Sequence, residues 1–160
     1  MRRRCSPTEE WTVTKFEDEI QSRGYIAYTN EGDSMMPLLR QHRDVLVIRR
    51  ITGPLKKNDA VLFKRPDGAY VLHRIIRVCG NGRYRIAGDN RDFSELVPEE
   101  WIIGILTEVI RDGRHIYADS EEYSAYVKKV PLHRFRLKMQ RLPQMVKRGL
   151  RRAVSRRNER

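Results

Sequence analysis

Apolar positions along this 160-residue chain change their spacing twice. Before Gly24, residues Val13, Phe16 and Ile20 recur at steps of three and four, the interval that puts side chains on one face of a helix. Ser6-Pro7-Thr8-Glu9 upstream has the form of a capping box with proline at the first helical position, which predicts an N-terminal amphipathic helix. From Tyr25 the chain turns to short runs rich in Val, Ile, Leu and Tyr, at residues 25–29, 44–50, 60–64, 70–78, 83–87 and 101–110. Gly53-Pro54, Pro66-Asp67-Gly68, Gly80-Asn81-Gly82 and Asp112-Gly113 fall as turn signals around those runs, so they predict strands. Helical spacing then returns in Leu132, Phe135, Met139, Leu142, Val146 and Leu150, set among Arg and Lys. Pro143 should divide that segment into two short helices.

The pattern predicts a mainly β, α+β chain in three parts. An N-terminal helix occupies 1–24, a twisted antiparallel β-body 25–118, and a basic amphipathic helical tail 119–160. Such a length suits one core of ordinary size with an appendage.

Charge sharpens the division. The formal charge is +12, yet residues 128–160 hold thirteen Lys and Arg against the single acid Glu159, while residues 1–127 hold twenty of each sign. A neutral body with a basic tail argues for a tether rather than a nucleic-acid-binding fold. The tail's Arg and Lys lack interleaved Trp or Tyr, which argues against single-strand stacking and makes nucleic acid the lesser partner. An anionic membrane surface, met through residues 131–158, is the expected partner; the competing arrangement docks the apolar stripe on the β-body. No apolar run approaches the roughly 20 residues needed to span a bilayer. Met1-Arg2-Arg3-Arg4 is followed by polar residues where a secretion signal needs an apolar run. Two cysteines, Cys5 and Cys79, imply no disulfide framework. The expected location is therefore cytoplasmic and peripheral at the membrane.

Three short boxes carry candidate chemistry: Gly32-Asp33-Ser34-Met35-Met36-Pro37, Leu72-His73-Arg74, and Gly88-Asp89-Asn90-Arg91-Asp92-Phe93-Ser94. A serine hydroxyl is a weak nucleophile at neutral pH and needs a neighbour to take its proton. Histidine, with an ordinary pKa near 6.5, serves as that base with almost no tuning. Taken singly, each box has a plainer reading. Asp33-Ser34 would cap a helical turn starting near Met36, His73 would be a core residue between Val71 and Ile75, and Gly88-Asp89-Asn90 would be a tight turn. The other histidines, His42, His115 and His133, are scattered without metal-ligand spacing, and no phosphate-cradling or dinucleotide-binding glycine pattern is present, so no cofactor is expected.

Taken together over residues 25–110, the boxes resemble the type I signal peptidase and Lex A-like serine peptidase clan. The first and third are similar to the bacterial signal peptidase boxes; histidine in the second is similar to the archaeal and endoplasmic reticulum enzymes. The resemblance implies a signal peptidase/Lex A-like body and a serine endopeptidase acting on an extended peptide or precursor. Ser34 would be its nucleophile and His73 its base, with Met35, Met36 and Pro37 near the substrate. For the carboxylate that steadies the imidazole, Asp89 is expected first and Glu95 second, with Asp92 in a turn. The chain departs from the pattern at Gly32, where bacterial relatives often carry a hydroxyl, and at Leu96-Val97-Pro98, where they carry Asp-Ser-Arg. Those departures keep a second reading open, a non-catalytic module that binds a peptide or partner on the same fold. Only 33 residues precede Ser34, too few for the DNA-binding domain of self-cleaving repressors, which argues against autoproteolysis.

Overall fold

The computed structural model describes residues 15–141. It consists mainly of antiparallel β-sheet: β1 (Tyr25–Thr29), β2 (Val45–Arg49), β3 (Ala60–Lys64), β4 (Tyr70–Gly80), β5 (Arg83–Ala87), β6 (Glu95–Pro98), β7 (Ile102–Arg111) and β8 (Arg114–Tyr117). The first seven join in the order β1-β2-β7-β3-β4-β5-β6, and β8 pairs with β7 beside that path. Helix α1 (Phe16–Arg23) precedes the sheet and α2 (Glu121–Val127) follows it.

Both faces of the sheet's centre are covered, which is why β3 reads as a continuous apolar run. Ile20, Leu39, Leu46, Leu62, Leu72 and Leu106 lie in one apolar cluster. Val61, Phe63, Ile75, Ile86 and Val97 lie in the other. Each such side chain, fully buried, contributes about 1.5–3 kcal/mol. Helix α1 stops at Gly24, whose φ of 82° lets its N–H close on the Ile20 carbonyl. Phe16 meets the rings of Tyr28 and Tyr70, with centroids 5.1 and 4.6 Å away.

Two features of this scaffold matter for the site. Strand β4 changes partners along its length, pairing with β3 from Tyr70 to Arg74 and with β5 from Arg74 onward, so its first residues present an edge. The long loop between β1 and β2 is pinned by Asp44. That buried carboxylate accepts the Arg40 N–H at 2.7 Å and two Arg111 N–H groups at 2.9 and 2.6 Å, while Arg111 also donates to the Leu38 carbonyl.

The described strands follow the sequence pattern closely from β1 to β5 and in β7, but β6 and β8 were not expected; α2 falls within the 119–160 tail expected to be helical. Strand β6 buries Val97 alone, too little for an alternation to show. Strand β8 completes a hairpin whose turn residues, Asp112 and Gly113, both have positive φ. Helix α2 is capped by Ser120, whose Oγ accepts the Tyr123 N–H at 3.2 Å. It buries Tyr123 and Val127 in the first cluster, so packing crosses the expected boundary at residue 118. Residues 130–141 are helical as well. The capping box at residues 6–9, Val13, Pro143 and the stripe from Leu142 to Leu150 lie outside the described residues.

Candidate active site

Ser34 stands in the β1–β2 loop, in a run of turns rather than at the start of a helix. Gly32 has a φ of 95°, a conformation that residues with a Cβ rarely adopt, and its carbonyl accepts the Asn30 side-chain amide at 3.0 Å. After the serine, the Met36 N–H closes on the Asp33 carbonyl and the Leu39 N–H on the Met35 carbonyl. Met35 is fully buried in the first cluster, so it anchors the loop and cannot meet a substrate as expected; Met36 and Pro37 are exposed. Among the described residues the Ser34 N–H meets no acceptor. It is a donor beside the hydroxyl, of the kind that holds a developing oxyanion.

The relation of Ser34 to His73 follows from strand register. Arg74 pairs with Ala87 and Ile75 with Ile86, so one further step along the ladder sets Gly88 opposite His73. Residues directly opposite each other in an antiparallel pair project to the same face. A Cβ placed on Gly88 would fall 2.6 Å from the Ser34 carbonyl oxygen and 3.1 Å from the Ser34 Cβ. Ser34 thus occupies the space that a side chain at position 88 would take, on the face to which His73 belongs. Glu95 joins them by the same logic, since Ile75 pairs with Ile86 and Ile86 with Glu95.

Side-chain distances agree with that count. The Glu95 Oε1 lies 3.3 Å from His73 Nδ1, and the His73 side chain is 7 % exposed. The two atoms are near neighbours without an established hydrogen bond: Nδ1 has no hydrogen-bond partner among the described residues. Arg65 fixes the carboxylate from the other side, its Nη2 at 2.7 Å from Oε1 and its Nε at 3.1 Å from Oε2. Burial holds the His73 pKa below the ordinary 6.5; Glu95 opposes the shift and the Arg65 charge adds to it. A neutral imidazole results, which is the form that can accept a proton.

Asp89, expected first beside the imidazole, alternates to the other face. Its carboxylate accepts Arg74 Nε at 2.8 Å, Arg74 Nη2 at 2.7 Å and the Tyr126 hydroxyl at 3.0 Å, with Arg74 and Asp89 both essentially inaccessible. Arg74 Nη1 also donates to the Asn58 carbonyl at 2.8 Å and to Tyr123 Oη at 3.1 Å. The carboxylate that accompanies His73 is Glu95. Asp92 pairs with Arg141 at 2.8 Å, and Ser94 accepts from Arg85 at 3.4 Å.

The third box also grips the serine loop directly. Asn90 donates its N–H to the Ser34 carbonyl at 2.8 Å and its side-chain amide to the Asp33 carbonyl at 3.2 Å. Arg91 Nη2 meets Asp33 Oδ1 at 2.5 Å and, by that bond and its charge, holds the Asp33 carboxyl below its ordinary range. Sequence reasoning gave Asn90 and Arg91 no role and missed Arg65 and Tyr126. Arg74 stood inside the second box, where its charge beside a buried histidine was the available sign of an ion pair.

Beside Ser34 runs a groove of about 580 Å³, bordered by Thr29, Asn30 and Glu31 at the end of β1 and by Tyr70, Val71 and Leu72 at the start of β4. Phe16 and Tyr28 also line it. Comparison with protein-family models and with curated proteins yields no match for this chain.

Proposed function

We propose that the chain is a serine endopeptidase of the signal peptidase/Lex A-like kind, in which Ser34 is the nucleophile, His73 the general base and Glu95 the carboxylate behind the base. The observation that carries this is the space left by Gly88, which seats Ser34 over the sheet face shared by His73 and Glu95. His73 takes the Ser34 proton as the hydroxyl attacks a peptide carbonyl, and the Glu95 charge stabilises the imidazolium that forms. The Ser34 N–H donates to the oxyanion, the imidazolium protonates the leaving amine, and water then releases the acyl group.

The groove suggests the form of the substrate. Strand β1 lies at one end of the strand order, and among the described residues the first residues of β4 have no strand partner on the side away from β3. An extended peptide lying between them gains main-chain hydrogen bonds, with alternate side chains directed into the groove.

Purified protein incubated with a library of extended peptides should generate new termini, read by mass spectrometry, that vanish in Ser34→Ala and His73→Ala. Peptide retention without new termini would instead identify a binding module on the same scaffold.

A further inference from the structure

The helix over residues 130–141 has two faces of opposite character. Val130, His133, Arg134, Leu137 and Arg141 recur at steps of three and four and form the docked face. His133 Nε2 lies 3.3 Å from Asn90 Oδ1, and Arg134 donates to the Arg91 carbonyl at 2.9 Å and to the Phe93 carbonyl at 3.1 Å. Arg141 reaches Asp92 at 2.8 Å. The stripe expected to seek cover, Leu132, Phe135 and Met139, projects from the other side and is 54, 59 and 49 % exposed. At 100° per residue these three span about 60° of the helix surface, nearly opposite the docked face. The alternative in which this stripe docks on the β-body is therefore inverted over 132–139, where the basic and polar face makes the contacts.

The surroundings of the stripe are one-signed. Arg136 and Lys138 border it on either side, and Lys128 and Lys129 precede it, all four exposed. Residues 123–158 contain no Asp or Glu. Beyond the described helix, the sequence repeats the apolar spacing at Leu142, Val146 and Leu150 among seven further Lys and Arg.

We propose that the face bearing Leu132, Phe135 and Met139 is a peripheral docking surface for an anionic phospholipid bilayer. An apolar strip edged by cations matches the two layers of such a surface, acyl chains inside and negative headgroups outside. A nucleic acid backbone would use the cations and leave the strip in water, while an ordinary protein partner would need acids to answer an acid-free stretch of this length. The opposite face grips the turn that holds Ser34, so attachment here orients the serine loop relative to the lipid. The proposal stands apart from the peptidase reading, because it concerns binding alone.

Flotation of the full chain with vesicles tests it, using phosphatidylcholine alone and phosphatidylcholine mixed with phosphatidylglycerol. The protein should float with the mixed vesicles, not with the neutral ones, and should dissociate at high salt. Leu132→Ser/Phe135→Ser/Met139→Ser should weaken flotation at least about tenfold, and Arg136→Gln/Lys138→Gln should weaken it further toward neutral-vesicle levels. Circular dichroism should be unchanged in both variants, since all five side chains are exposed. Undiminished flotation of the triple serine variant, or equal flotation with neutral vesicles, overturns the proposal. So does tight binding to single-stranded RNA that survives the triple serine change while vesicles fail to bind.

Discussion

At the scale of single residues, the question is how His73 can be both buried and useful. Burial lowers its pKa below 6.5, which keeps the ring neutral, and Glu95 lies close enough to stabilise the cation when it forms. The acid limb of kcat/KM should therefore fall below pH 6.5, and it should move lower again in Glu95→Gln, because the charge that favours the imidazolium is gone. A pH profile of the two proteins on one peptide decides this; an unmoved limb would separate Glu95 from the base. If Ser34 and His73 act as a unit, Ser34→Ala and His73→Ala should each reduce kcat by about 1000-fold or more, and the double variant should be little worse than either. Multiplicative losses would instead mean that the two act independently.

Among the elements, the β4–β5–β6 ladder and the turn after β5 set the geometry. Gly88→Ala forces a Cβ to within 2.6 Å of the Ser34 carbonyl oxygen, so the serine loop must shift. The variant should fold with a cost of about 1–3 kcal/mol, yet lose about 100-fold in kcat/KM, since a displacement of an ångström is enough to spoil an attack geometry. Thermal melts alongside kinetics separate the two effects, and full activity in a folded Gly88→Ala would deny the close seat its importance. Across the sheet, the Arg74–Asp89 pair has a structural role. Arg74→Ala leaves the Asp89 carboxylate buried beside Tyr126 without its cation, a change expected to cost about 3–5 kcal/mol in urea unfolding. Asp89→Asn should cost a similar amount, because the buried Arg74 guanidinium then keeps its charge without a counter-ion.

The whole molecule adds a pH dependence of stability. His73 has a folded pKa below its unfolded 6.5, so the unfolded chain binds the proton first as pH falls. Its contribution is complete above 6.5 and is lost as pH drops through the folded value. Asp44 lies in the opposite chemical class but has the same sign. Desolvation would raise its pKa, yet the Arg111 bonds and the Arg40 N–H outweigh that and leave it lowered, so its contribution disappears at more acidic pH still. Urea midpoints should fall in two stages on acidification, and His73→Gln should remove the first stage while keeping the second. A first stage retained in that variant would assign it to another group.

Periodicity made most of the scaffold legible, because a strand or helix with a buried face must repeat its apolar residues at 2 or 3.6. The runs that became β1 to β5 and β7 and the helical spacing that led to α1 and to residues 130–141 are local properties, and so are turn signals such as Asp112-Gly113. Strands with a single buried residue, β6 and β8, carried too little of that repeat to be seen. The three boxes were visible as residue types, but their partnerships depended on register and on which face a residue occupies. Asp89 and Glu95 differ by an even number of positions, yet the turn between β5 and β6 breaks the alternation, so only strand pairing could send Asp89 to Arg74 and Glu95 to His73. The same holds for the tail, where the spacing of Leu132, Phe135 and Met139 marks a face, and only the packing of Arg134 and Arg141 on the 90–93 turn decided that this face points away from the protein. Local repeats depend on the backbone geometry of one segment; partner choice depends on energies between segments far apart in the chain, which no single stretch of sequence contains.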